Sequence, residues 1–253
     1  MPNKEPFFIG WAKKPPRALW PFLFFVSAVL VGGMGGMAFS LSASVDDPGD
    51  GRFAGRAMLM GVIEAKPYPL LRLPPDDENP EARAILLSGP GKRGVQNSAD
   101  PLSGKPVLAM GAMLKRGTID MLQVNGRGVQ ALSAEKVGEL TNFRPAPAED
   151  LGRWRLVGEI CDGKCYQGAM RPSSGLAHKA CANFCLIGGT PPVFVSTAEV
   201  QGSTFFLLAD QDGNALPETV TDLTALLIEI EGVVEKRDNL MIFKIDLDQA
   251  KVM

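Results

Sequence analysis

Residues 161–192 read CDGKCYQGAMRPSSGLAHKACANFCLIGGTPP, and the organisation of the chain depends on this stretch. All 4 cysteines of the chain lie in it, together with its only histidine, His178. Such a gathering of thiols and one imidazole indicates a single chemical site. We call residues 161–192 the Cys/His window.

The second half of the window has the composition of a helix. The pattern predicts a helix over Lys179–Ile187, which the glycine pair at 188–189 ends. Side chains three and four positions apart share one helical face. His178, Cys181 and Cys185 follow that spacing, so we expect all three to point the same way.

Three interpretations of the window stay open. Cysteines outside the cytoplasm tend to oxidise, and two disulfides would leave the protein without a cofactor. A second interpretation is a tetrahedral zinc site, with copper as the alternative ion. Its metal ligands would be a Cys3His set: Cys165, His178, Cys181 and Cys185. The third is a redox-active thiol pair, with His178 or Lys179 lowering a thiol pKa.

Two neighbouring residues have roles that depend on which interpretation holds. If a metal ion binds, Asp162 is predicted to accept a hydrogen bond from the ring nitrogen of the histidine that does not bind the ion. Otherwise Asp162 is a turn residue at the end of a strand. Cys161 is either a free thiol or an alternative partner for the other ligands.

Near the N-terminus, a long segment without charge predicts a transmembrane helix over residues 18–43, which is enough to cross a bilayer. Basic residues precede it and acidic residues follow it: Lys4, Lys13, Lys14 and Arg17, then Asp46, Asp47 and Asp50. Basic residues stay on the cytoplasmic side. We therefore expect a single pass through the cytoplasmic (inner) membrane, with residues 1–17 inside and the remainder in the periplasm. A cleaved signal peptide is the alternative, although the apolar run is longer than usual.

Small residues recur every four positions along this helix. They are Ala28, Gly32, Gly36 and Ser40. Such a stripe lets two membrane helices approach closely. It predicts contact with another membrane subunit or with a second copy of the chain.

The rest of the chain predicts a mainly β fold class. Short runs bounded by Gly, Pro, Asn and Asp indicate strands in a first β domain, 52–143, and a second, 151–253, which contains the window. The halves align at offsets near 97 and 121, as Gly111 with Gly232 shows. We expect two small OB-like β-barrel domains, the second with a helical insert that carries the Cys/His window.

The composition of the chain limits the kinds of partner that it can bind. The net charge of −2 and the small number of aromatic residues argue against nucleic acid as a partner. The glycine-rich segment 89–94, GPGKRG, lacks the spacing of a phosphate-binding loop and predicts a hairpin turn.

Part of the chain resembles a family of uncharacterised bacterial exported or membrane-anchored domains. The resemblance covers residues 153–251 and rests on the motif D-x-x-C-Y, then H-x-x-C-A-x-x-C, then G-x-P. It implies that Tyr166 belongs to the motif along with Asp162 and the four proposed ligands. Cys161 departs from the pattern, which has an aliphatic residue there. The family has no established reaction, so the resemblance implies where the site is and not what it does.

Together these features predict an accessory or assembly subunit, anchored in the membrane and associated with a membrane redox complex. The window would then hold a structural metal ion or a disulfide staple. The alternative is a periplasmic protein that handles zinc or copper, or a thiol-redox protein. No acid–base pair at a convincing spacing points to an enzyme.

Overall fold

The structure, a computed structural model, describes residues 15–44, 51–117, 119–140 and 142–253. Most of the predicted cytoplasmic segment therefore lies outside the described residues. The acidic residues predicted to follow the membrane helix lie outside them as well.

The apolar N-terminal segment forms one helix, α1 (Trp20–Ser44), after a 3-10 turn at Arg17–Leu19. The stretch Arg17–Leu41 has a mean hydropathy of 2.0, and its apolar window is not buried inside the protein. At 1.5 Å per residue, 25 residues exceed the roughly 30 Å of a bilayer core. An apolar N-terminal helix is confirmed, and its properties suit a membrane span or a signal sequence.

The described residues from 51 onward form a compact unit that contains two closed five-stranded barrels. In the first barrel the strands follow the closed order β1-β2-β3-β5-β4. They are β1 (Arg52–Glu64), β2 (Leu70–Leu73), β3 (Arg83–Ser88), β4 (Pro106–Arg116) and β5 (Ile119–Ala131). Only the β3–β5 pair is parallel. Leu87 and Leu122, which pair across it, are completely buried in the barrel.

The second barrel follows the order β10-β8-β7-β6-β9 and closes through pairing of β10 with β9. Its strands are β6 (Glu149–Asp162), β7 (Pro192–Val200), β8 (Ser203–Asp210), β9 (Leu227–Arg237) and β10 (Leu240–Ile245). A short strand, β11 (Lys251–Val252), adds to the edge of β9. The mainly β class predicted from the sequence is confirmed.

Short helices connect the strands. They are α2 (Gln96–Ala99), α3 (Ala134–Val137), α4 (Lys179–Ile187) and α5 (Val220–Leu223), with 3-10 turns at Asp100–Leu102, Gly138–Leu140, Leu176–His178 and Leu247–Gln249. Of these, α4 and the 3-10 turn at Leu176–His178 lie in the Cys/His window.

The two barrels are built alike. When β1–β5 are matched in order with β6–β10, the strand orders coincide, and in each barrel the third and fifth strands run parallel. Ala57 pairs with Gly111 in the first barrel, and Trp154 pairs with Gly232 in the second. These two pairs are related by the same offsets of 97 and 121 that relate the two halves of the sequence.

The matched glycines allow neighbouring strands to pass very closely. A Cβ on Gly111 would lie 2.0 Å from the carbonyl oxygen of Gln123, and a Cβ on Gly232 would lie 2.2 Å from that of Lys244. Real Cβ atoms do not approach backbone oxygens so closely. Both positions therefore require glycine for the same steric reason.

Alanine at either position is expected to destabilise the protein. Gly111→Ala and Gly232→Ala should each lower the free energy of unfolding by about 1–3 kcal/mol, the usual cost of overpacking. Gly138→Ala is the control, because a Cβ there meets nothing within 4 Å. Chemical denaturation of the three variants measures the difference. Equal stability of all three would contradict the close approach.

The barrels pack against each other through matched faces. Their shared core includes Leu70, Leu86 and Met121 from the first barrel and Val193, Leu207 and Ile242 from the second. These side chains are completely buried. Because the apolar faces cover each other, the barrels form one packed unit, and the predicted bounds of two β domains stay predictions.

An ion cluster around a buried arginine also joins the two barrels. Arg72 of β2 is only 2% exposed, and its guanidinium lies 2.7 Å from Asp238 and 2.5 Å from Glu64. It also donates to the carbonyl oxygen of Ala146 at 3.1 Å. Burial opposes the charge of Arg72, but the bonds to the two carboxylates outweigh that effect and raise its pKa. Asp238 lies between β9 and β10, so the cluster ties the first barrel to the second.

Candidate metal site

The site lies in the long connection that follows β6. In the first barrel residues 65–69 join the first two strands, whereas residues 163–191 join the matched strands of the second. This connection makes a π-helical turn at Cys165–Ala169 and then continues into α4, Lys179–Ile187. The bounds of that helix are those predicted from the sequence.

The structure gathers the four predicted ligands and Asp162 around one thiol. The ligand atoms of Cys165, His178 and Cys181 lie within 4.8 Å of one another. Those of Asp162, Cys165 and Cys185 form a second group within the same distance. Cys165 belongs to both groups, so it is the centre of the site.

Asp162 supports two members of the site. One carboxylate oxygen lies 2.9 Å from Nε2 of His178, and the other accepts the backbone N–H of Cys165 at 2.8 Å. With the carboxylate as acceptor, Nε2 carries the proton and Nδ1 presents its lone pair. Asp162 and His178 are both buried, so the ring is held in place. Asp162 therefore contacts the histidine and also closes the turn at the strand end, and its role behind a metal ligand stays a prediction.

All four cysteines are free thiols, and no disulfide is present. The thiol of Cys165 donates to the sulfur of Cys185, which lowers the pKa of Cys185 and raises that of Cys165. Of the two, Cys185 therefore gives up its proton more readily than Cys165 does. A thiolate is the form that binds metal ions.

A lysine from the first barrel reaches the same sulfurs. The ammonium group of Lys92 lies 2.7 Å from Sγ of Cys181 and 3.7 Å from Sγ of Cys185. The hydrogen bond to Cys181 raises the pKa of Lys92, so the group stays charged. Lys92 thus places a cation against two of the predicted ligands.

Lys92 belongs to the glycine-rich segment 89–94, which rests on the window. The N–H of Gly94 donates to the carbonyl oxygen of Gly188 at 2.7 Å. Buried Lys164 donates to the carbonyl oxygens of Gly89 and Gly91 at 2.7 and 2.6 Å. Burial lowers the pKa of Lys164. The segment leads from β3 into α2, so the prediction of a hairpin turn was wrong, and its contacts make it part of the site.

Cys161 lies apart from both groups. Its thiol is 3.4 Å from a carboxylate oxygen of Glu159, and the side chain is buried in the core shared by the barrels. Burial, with Glu159 nearby, raises the pKa of Cys161 well above its ordinary value. This environment suits an inert structural thiol more than a ligand.

Tyr166, the remaining motif residue, packs within the protein. Its ring stacks on Phe205 with the centroids 5.3 Å apart. The guanidinium carbon of Arg116 lies 3.9 Å from the centre of the Tyr166 ring. Tyr166 therefore stabilises the turn beside Cys165, and its contacts are those of a packing residue.

The small residues predicted to contact another membrane helix are exposed on α1. All four members of the small-residue stripe are exposed: Ala28, Gly32, Gly36 and Ser40. A Cβ on Gly32 or Gly36 would meet no described residue within 4 Å. Contact of this stripe with another helix stays a prediction.

Three residues near the sulfurs were missed by sequence reasoning. They are Lys92, Lys164 and Met170, whose Sδ lies 3.3 Å from Sγ of Cys181. Lys164 and Met170 stand inside the Cys/His window, so their position in the sequence was a signal. Nothing local connects Lys92 to the window, because only the packing of the barrels brings it there.

The donor set determines what the site can bind. Thiolates and imidazole are soft or intermediate ligands that suit zinc and copper(I). Asp162 would orient His178, as carboxylates do behind many histidine ligands. The residues present therefore fit a thiolate-rich metal site.

Comparison of the chain with protein-family models, with curated proteins and with solved structures gave no match. The resemblance to exported bacterial domains therefore stays a prediction. The fold and the site define a mainly β protein with two closed barrels, one apolar N-terminal helix and a Cys/His group able to hold a metal ion.

Proposed function

We propose that the chain is a membrane-anchored accessory or assembly protein whose barrel unit holds a metal ion in the Cys/His window. The observation that carries this proposal is the convergence of free thiols and one oriented imidazole on Cys165. In this proposal the metal ion fixes the long connection between β6 and β7 that carries the ligands.

The proposal also includes the orientation of the membrane helix and the partner on which it docks. Helix α1 crosses the cytoplasmic membrane once, with the basic N-terminal residues inside and the barrels in the periplasm. Its small-residue stripe docks on a subunit of a membrane redox complex or on a second copy of the chain. The length and composition of α1 support this arrangement.

The barrels themselves are proposed to be OB-like, the second with the window inserted after its first strand. Five short strands in a closed barrel are characteristic of that class. The difference between connections 65–69 and 163–191 supports an insertion at this point. Apart from this connection, the strands of the two barrels follow the same order.

A second candidate function is exchange of a metal ion, or thiol-redox chemistry, at the same residues. The observation that favours it is the open side of the site. Cys181 is only partly buried, and Lys92 and Met170 beside it are exposed. Structural zinc sites are closed, whereas sites that exchange ligands keep one side accessible.

Intact mass measurement tests the proposal in one experiment. The chain is purified from its own membranes in mild detergent and weighed in native form, and then denatured after thiol alkylation. We expect a native mass excess of one metal ion, four alkylated thiols after denaturation and a co-purifying membrane subunit or second copy. A solitary chain without metal, or a loss of four hydrogens that signals two disulfides, would contradict it.

A further inference from the structure

The proposed function leaves the metal ion unnamed, and the surroundings of Cys181 bear on its identity. Taking that metal site as given, we propose that it binds monovalent copper, and that Met170 is a further sulfur ligand through which the ion enters and leaves. Two independent features of the site support this assignment. One is the chemistry of the neighbouring thioether, and the other is the charge around the thiols.

The thioether lies beside the open side of the ligand group. Sδ of Met170 is 3.3 Å from Sγ of Cys181, and Cys181 forms a group with Cys165 and His178. Thioethers select copper(I), whereas zinc takes thiolate, imidazole and carboxylate ligands. A methionine at this position can therefore bind a copper(I) ion as a ligand, whereas zinc does not use its thioether.

Met170 is also placed where an incoming ion would arrive. Its side chain is 45% exposed, although methionine is an apolar residue. Cys181 is partly buried, and Cys165 and His178 behind it are buried. The sulfurs and the imidazole thus form a series from the surface to the interior. An ion can pass along it by forming a bond to one ligand as it breaks the bond to another.

This passage requires no electron transfer. The ion stays copper(I) throughout, and each cysteine that binds as a thiolate releases its proton to the solvent. Met170 binds through a lone pair and releases nothing. The exchange is therefore balanced without an oxidant or a reductant.

The charge around the site favours a monovalent ion. The ammonium group of Lys92 contacts the sulfur of Cys181. It also lies 3.7 Å from the sulfur of Cys185. A nearby cation repels a divalent ion twice as strongly as a monovalent ion at the same position. Lys92 therefore lowers zinc affinity more than it lowers copper(I) affinity.

Metal competition tests the assignment with the full chain in detergent, reduced and without oxygen. Copper(I) affinity is measured against a chromophoric copper(I) chelator, and zinc affinity against a chromophoric zinc chelator. Met170→Leu is expected to weaken copper(I) binding by roughly tenfold, a typical minimum for disturbing a metal site. Zinc affinity should change by less than about twofold, since leucine and methionine are similar in size.

The control removes a methionine elsewhere. Met58→Leu changes a side chain that is 63% exposed on β1, and it should leave both affinities as they are in the wild type. Lys92→Gln tests the charge argument, because removing one cation should raise zinc affinity more than copper(I) affinity.

The outcomes separate this inference from the proposed function. If wild-type protein binds neither ion, the metal site itself fails and the proposed function fails with it. If the wild type binds metal but Met170→Leu weakens copper(I) no more than Met58→Leu does, or weakens both ions equally, the role of Met170 is overturned. If Lys92→Gln raises the two affinities alike, the charge argument is overturned.

Discussion

Replacing Cys165 by serine is expected to abolish metal binding by the chain. Cys165 is the one residue common to both groups of possible ligands, so its loss breaks each of them. A serine hydroxyl stays protonated at neutral pH and is a poor ligand for zinc or copper(I). We expect the affinity to fall by more than about a hundredfold, beyond the range seen when only supporting residues are changed. Native mass spectrometry of the loaded protein measures the change.

Cys161→Ser is the matched control. Cys161 is as buried as Cys165 but lies in the core between the barrels, outside both groups. This variant should keep its metal. A thermal unfolding curve for each variant separates loss of the site from loss of the fold. Metal retained by Cys165→Ser, or lost by a folded Cys161→Ser protein, would show that the ligands have been assigned wrongly.

The local parts of this site were predictable from the sequence. Helix α4 has the bounds expected from its composition and its terminal glycines, because helix signals are short-range. The contact between Asp162 and His178 was expected for the case that the window holds a metal ion, since a histidine ligand needs an acceptor for its second nitrogen. The apolar helix α1 and the mainly β fold were also expected from the sequence.

The parts that depend on long-range packing were not predictable. Strand β2, Leu70–Leu73, is only four residues long, and its sequence LLRL shows too little alternation of apolar and polar residues to indicate a strand. Lys92 was interpreted as a turn residue, and no local pattern indicates that the two barrels bring it to Cys181. A single chain without aligned relatives gives no signal for such contacts.

Arg72→Met is expected to destabilise the barrel unit by about 3–5 kcal/mol, the usual cost of leaving a buried charge without its partner. Methionine keeps most of the volume of the arginine stem but removes the charge. Asp238, which is 3% exposed on its side chain, would then lose the guanidinium 2.7 Å away. Denaturant unfolding of the full chain in detergent measures the loss.

A double-mutant cycle tests the cause of that loss. The Arg72→Met variant leaves the Asp238 carboxylate without its partner, and Asp238→Asn removes that charge. Asparagine accepts the positive φ of 54° at this position. The double variant should therefore be more stable than the sum of the single losses predicts. Arg155→Ala is the surface control, because its partner Glu231 is well exposed and the pair contributes little. If the losses at Arg72 and Asp238 simply add, the ion pair does not join the barrels, and their apolar faces alone hold them together.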